Sequence, residues 1–180
     1  MKKLSSDELM RPSPEAALNE ARNSIVVLLD DVRSAHNVGS IFRTCDAFLV
    51  QEVILCGITP TPPHREISKT ALGSTKSVKW RHFEKIEAAI EECKERGYRV
   101  SAIEHTDSSI QLQNMDPQYT KNALILGSEV NGVSDTALGL CDEAIEIPMF
   151  GSKHSFNVSV CAGITLWECW RINAGQKSNT

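Results

Sequence analysis

Along this chain two hydrophobic rhythms alternate. Continuous, β-branched apolar runs occur at 24–30 (SIVVLLD), 52–58 (EVILCGI), 98–104 (YRVSAIE), 122–127 (NALILG) and 143–149 (EAIEIPM), with a shorter candidate at 78–83. Runs without inside–outside alternation predict strands covered on both faces. Helical spacing lies between them. In FEKIEAAIEECKERG, Ile86, Ala89, Ile90 and Cys93 fall at i, i+3, i+4 and i+7, and Gly97 follows as a left-handed stop. NVGSIFRTCDAF opens at Asn37, a capping-type residue, and SDTALGL opens at Ser134. A last helix starts near Ser155 or Asn157 and runs to about Arg171.

Strands alternating with helices predict the α/β class, with a mostly parallel sheet and helices on both faces. Ligands of such sheets bind beyond the carboxyl ends of the strands. The polar, glycine-rich clusters HNVGS, GSEVNG and MFGSKHS fall there. The expected organisation is an N-terminal arm over 1–22, one domain over 23–172 and a flexible tail over 173–180. No internal repeat is visible, and a short helix is expected after Pro14.

Composition narrows the class. At 180 residues, 41% hydrophobic and 23% charged, the chain suits one ordinary soluble domain. No apolar run approaches the ~20 residues of a membrane span. MKKLSSDELM lacks the apolar core of a secretory signal, so the expected location is cytoplasmic. The six cysteines form no CxxC and mostly keep apolar company, as buried reduced thiols do. The five scattered histidines outline no metal site. Net charge is −4, yet its distribution is uneven. Residues 60–85 hold six Lys or Arg against two acids, whereas 86–146 hold four against twelve. Such a patch suits RNA, and equally suits charges that merely solvate the surface.

Three segments carry candidate chemistry. In the first, Gly39 permits close approach of backbone to a neighbour or ligand. Arg43 is either aimed at a phosphate or polar transition state, or pairs with Asp46 at i+3. In the second, LILGSEVNGVS, a strand ends at Gly127, and Glu129 and Gly132 follow in a loop suited to an adenine edge or a ribose, or equally to an ordinary solvated turn. In the third, IPMFGSKHSFNVSV, Ser155 and Asn157 precede a helix that is apolar nearly all round. That helix must be covered, by its own domain or by a second subunit. Its N-terminus is positively polarised and suits a polar ligand, though simple capping is the plainer reading.

Together, NVGSIFRTCDAF, ILGSEVNGVS and IPMFGSKHSFNVSVCAGITLWE resemble, in order and spacing, the three motifs of the SPOUT-class, TrmH-like RNA 2′-O-ribose methyltransferases. The resemblance covers about 25–170. It implies methyl transfer from S-adenosylmethionine to a ribose 2′-hydroxyl of RNA, with tRNA favoured over rRNA because no separate RNA-capture domain is evident. It also implies a C-terminal deep trefoil knot, which periodicity does not reveal, and a homodimer formed through the last helix. By motif position, Arg43 is the catalytic arginine, Asn37 and Glu129 support it, and Ser155 and Asn157 position the ribose. Leu126, Gly127, Ile147, Met149 and Phe156 would touch the donor, Phe156 standing where the family often has leucine. Guanidinium keeps its proton above pH ~12, so stabilising an alkoxide and binding a neighbouring phosphate suit Arg43 better than acting as base. His64, Arg65, Lys69 and Lys76, in a basic stretch after Pro62 and Pro63, are the expected RNA contacts. The competing readings are a catalytically silent RNA-binding or assembly module and a doubly wound nucleotide enzyme. The second lacks a GxGxxG after the first strand.

Overall fold

A computed structural model describes residues 1–5, 8 and 13–177, with no side-chain description at 14, 15, 176 and 177. Seven strands form one sheet: β1 (Asn23–Asp30), β2 (Val50–Cys56), β3 (Trp80–Phe83), β4 (Arg99–Ile103), β5 (Ile110–Gln111), β6 (Asn122–Leu126) and β7 (Glu143–Glu146). Their spatial order is β3-β2-β1-β6-β4-β7-β5, and every named pairing is parallel. The carboxyl ends therefore share one edge. The chain builds outward from β1 through β2 and β3, then returns to place β6 between β1 and β4.

Among the described residues six α-helices accompany the strands: α1 (Pro14–Ala17), α2 (Ala35–Ala47), α3 (Arg65–Ala71), α4 (Ile86–Glu95), α5 (Asp135–Leu140) and α6 (Val158–Lys177). Alternation along β1 sorts the core into two layers. Ile25, Val27 and Leu29 join the cluster that includes Ile41, Phe42, Ile67, Ala162 and Leu166 of α2, α3 and α6. Val26 and Leu28 join Ala89, Ile90, Cys93 and Ala137 of α4 and α5. All five are fully buried, which is what a continuous apolar strand in a two-sided sheet requires.

Several boundaries differ from the sequence expectation for identifiable reasons. Helix α2 begins two residues before Asn37, capped by the Ser34 side chain, which accepts from the Asn37 N–H. The Asn37 amide is thereby free for other partners. Helix α6 begins at Val158, and Asn157 rather than Ser155 caps it, accepting from the Ser159 N–H at 2.9 Å. At its other end α6 continues to Lys177, into the segment expected to be a flexible tail, and Asn173 is buried. Residues 178–180 of that expected tail lie outside the described residues, as do 6, 7 and 9–12 of the arm.

The basic stretch after Pro63, for which no helix is expected, contains α3. Its tight seating depends on Gly39. A Cβ there would come within 2.1 Å of Thr70 Oγ1 and 2.4 Å of the Ile67 carbonyl, so glycine lets α2 and α3 touch backbone to backbone. All six cysteines are free thiols, four of them buried. Among the described residues, no helix is long and apolar enough to cross a membrane.

Candidate active site

At the carboxyl edge, three segments far apart in sequence close into one hydrogen-bonded chain. Glu129, in the turn after β6, accepts from the backbone N–H groups of Arg33 (3.1 Å) and Ser34 (3.2 Å) at the entry to α2. It also accepts from Asn37 Nδ2 at 2.8 Å. Asn37 Oδ1 in turn accepts from Asn157 Nδ2 at 3.2 Å. Asn157 Oδ1 closes the series on the Ser159 N–H and hydroxyl. A carboxylate can only accept and a backbone N–H can only donate, so these two ends fix the orientation of both amides. Burial pushes the Glu129 carboxyl up, but the bonds from Asn37, Arg33 and Ser34 outweigh it and hold the pKa below the ordinary carboxylate value.

Beside this chain lies a cleft of about 700 Å³, within the range of small-molecule sites. Leu126, Ile145, Ile147, Met149 and Val158 supply its apolar lining, and Gly127, Ser155, Phe156 and Asn157 complete the near wall. Its lining carboxylates are Glu104, Glu129, Asp135 and Glu146, with no Lys or Arg beside them. Cys161 also faces it, and burial pushes that thiol up to about 11, so it stays protonated and inert at neutral pH. Gly127 is required by close packing: a Cβ there would meet the Gly132 and Val133 backbone at 2.0–2.2 Å.

Of the residues singled out in the sequence, Asn37, Glu129 and Asn157 are brought into direct contact. Leu126, Gly127, Ile147, Met149, Ser155 and Phe156 gather at the cleft. Arg43 does not line it. Six residues beyond Asn37, it is about 9 Å further along α2 and rotated by about 240°. It sits on the outward face with His36 and Ala47, exposed, without a hydrogen bond or ion pair to any described residue. The alternative Arg43–Asp46 pairing is absent, and the Asp46 carboxylate instead accepts from Ser77 Oγ.

The basic candidates are all exposed on or near α3, but two are already engaged. His64 caps α3 by accepting from the Glu66 N–H, and Lys69 pairs with Glu66 at 2.7 Å. Glu66 also holds His36 on α2 at 2.6 Å. Arg65 and Lys76 have no partner among the described residues. Sequence reasoning missed Glu104 and His105 on the cleft wall. They read only as the end of a strand, and nothing local shows that the 127–133 turn folds against them.

Residues 24–167 match the SpoU rRNA Methylase family. The tRNA (guanosine(18)-2′-O)-methyltransferase of Thermus thermophilus is 38% identical over 165 residues, covering 91% of this chain and 83% of that protein. Among solved structures, the Aquifex aeolicus TrmH/SpoU tRNA modifying enzyme superposes with a TM-score of 0.80 at 28% identity, over 92% of this chain and 82% of that one. The AdoMet-bound rRNA methyltransferase of Sinorhizobium meliloti does so with a TM-score of 0.78 at 28% identity, over 89% and 61%. A parallel α/β sheet with a polar cleft at its carboxyl edge, and three motifs meeting there, define an RNA methyltransferase of the SPOUT, TrmH-like kind. The chain belongs to the SpoU rRNA Methylase family.

Proposed function

We propose that the protein transfers a methyl group from S-adenosylmethionine to a ribose 2′-hydroxyl of tRNA. The observation that carries this reading is the Glu129–Asn37–Asn157 chain standing at the mouth of the cleft. The Thermus thermophilus relative, a tRNA (guanosine(18)-2′-O)-methyltransferase, supports tRNA as substrate.

The cleft suits the donor on chemical grounds. S-adenosylmethionine is cationic at its sulfonium and ammonium groups, and the cleft presents the carboxylates of Asp135 and Glu146 and no Lys or Arg among its lining residues, Glu104 and Glu129 being taken up by backbone and amide donors. Leu126, Ile147, Met149 and Phe156 offer apolar contact, and the backbone around Gly127 offers hydrogen bonds to the adenosine. Bound there, the donor would supply an electrophilic methyl on a good leaving group. What remains for the protein is to orient the ribose oxygen and manage its proton.

Asn157 and Ser155, exposed at the N-terminus of α6, are suited to hold the ribose. Glu129 and Asn37 keep the Asn157 amide turned to one orientation. Arg43, with its guanidinium unspent and outside its own chain's cleft, binds an RNA phosphate and, from the second copy of a homodimer, stabilises the alkoxide forming at the cleft, and phosphate or water takes the proton. Arg65 and Lys76 extend phosphate contact beyond the site, with His64 and Lys69 at its margin.

A homodimer belongs to this reading. Val160, Trp167 and Trp170 are 49%, 54% and 37% exposed along α6, and Phe48 at the end of α2 packs against both tryptophans. Such an aromatic stripe suits a second copy of the chain. The C-terminal knot is likewise part of the proposal, supported by the insertion of β6 between β1 and β4 and by likeness to the Aquifex structure.

Calorimetry with S-adenosylmethionine tests the donor site. Saturable one-to-one binding is expected, and no heat at millimolar donor would favour a silent RNA-binding module instead.

A further inference from the structure

The turn that carries Glu129 is held from outside the three motifs. Glu104 directly follows β4, and its backbone N–H continues the pairing with β7 by donating to the Ile145 carbonyl. Its side chain crosses to the turn, where Oε2 accepts from the Val133 N–H at 3.0 Å. Oε1 accepts from the His105 N–H at 2.9 Å. The next N–H of the turn, that of Ser134, is taken by Asp30 Oδ2 at 2.8 Å. Two carboxylates from different strands therefore grip consecutive backbone donors at the end of the turn.

The turn itself is closed by reciprocal bonds between Ser128 and Gly132, each N–H to the other's carbonyl at 2.9 Å. Gly132 has φ +69°, and a Cβ there would come within 2.1 Å of Glu104 Oε2. Glycine at 132 thus serves both the left-handed backbone and the seat of the Glu104 carboxylate. Glu129 projects from the far side of the same turn and sets Asn37.

We propose that Glu104 is a positioning residue for the Glu129–Asn37–Asn157 chain. It rests on the methyltransferase reading for its effect on rate, but its structural part stands alone. Glu104 fixes the base of the turn, Glu129 works from its tip, and loss of the first lets the second drift from Asn37. The bond to Val133 needs one acceptor oxygen, not a charge, so a glutamine side chain can keep it while giving up the bond from the exposed His105 N–H.

The test compares wild type, E104A, E104Q, E129A and the E104A/E129A double variant. It reads single-turnover methyl transfer to tRNA, donor affinity by calorimetry, and hydrogen exchange of the Val133 and Ser34 amides. E104A is expected to slow transfer at least about tenfold, with donor affinity within about threefold of wild type. E104Q is expected to stay within about threefold of wild type, and E104A to add less than about twofold in the E129A background, since both act through one contact. Exchange at Val133 and Ser34 should quicken in E104A and not in E104Q. If E104A does not fold, E104D withdraws the acceptor by one methylene and is expected to behave in the same direction. Multiplicative effects in the double variant, or E104Q falling as far as E104A with weakened donor binding, would overturn the proposal. If wild type transfers no methyl, the function reading fails by itself. The exchange data then decide alone: a Ser34 amide equally protected in E104A overturns the positioning role, and faster exchange upholds it.

Discussion

On the α4 side of the sheet, Glu52 of β2 is held by Arg81 and by Arg96 at 2.9 Å, and both arginines also bond Glu92. Lys94 finds Asp142 at 2.9 Å. On the α2 and α6 side, Arg43 has no such partner among the described residues, and Trp167 and Trp170 stand open to solvent. The two layers have equally apolar cores, so the contrast lies in what surrounds them. One layer answers its charges within the chain and serves stability. The other leaves a cation and an aromatic stripe unmet, as the proposed roles in RNA binding and dimer formation require.

The same contrast corrects the charge reading. Of the six basic residues between 60 and 85, Arg81 is spent in the Glu52–Glu92 network and Lys69 on Glu66. Four of the six, Arg65, Lys76, Lys79 and Lys85, remain without a side-chain partner among the described residues, as does Arg43 outside the stretch.

Substitutions on the two sides should separate cleanly. The largest effect is expected for Arg43→Ala, which should lower methyl transfer about 100- to 1,000-fold, with donor binding and melting temperature unchanged. Near-normal turnover in a radiolabelled transfer assay would remove Arg43 from the mechanism. Next, Trp167→Glu should raise the dimer dissociation constant about thirtyfold or more, ~2 kcal/mol, read by light scattering across a dilution series. On the closed side, Glu52→Gln should cost about 1–2 kcal/mol in denaturant unfolding, discounted for the partial exposure of Arg81, with kcat unchanged. A loss of kcat in the folded variant would blur the contrast.

The smallest effect concerns pH. Glu129 is depressed, so its contribution is fully present above the unfolded carboxyl value of about 4.3 and is lost as pH falls through the lower folded value. The Asn37 side-chain amide resonances should stay fixed through neutral and mildly acidic pH and shift only below about 4.3.

Much of this was legible in the residues themselves. The strand at 24–30 announces a two-sided sheet because Val26 and Val27 are equally apolar, and the structure buries both, on opposite faces. The helix at α4 was visible in its spacing and in Gly97, which has φ +78°. Helix α3 was not, since seven residues carry little periodicity and its seating depends on Gly39, a glycine 26 residues before it. β5 is only two residues long and has no pattern to read. Within the site, the motifs named Asn37, Glu129 and Asn157, but not their relay, which joins positions 92 and 120 residues apart. Glu104 was invisible because its role depends on a turn 29 residues later. For α6, apolar residues all round gave notice of a covered helix, yet only packing against α2 reveals that the face with Val160, Trp167 and Trp170 stays open.

The most direct measurement incubates the protein with S-adenosylmethionine carrying a tritiated methyl group and an unmodified tRNA transcript, digests the RNA to nucleosides and separates them. The account predicts label in a single 2′-O-methylated nucleoside, with guanosine 18 the first position to map. Label on a base, or none in tRNA under donor saturation, would contradict it.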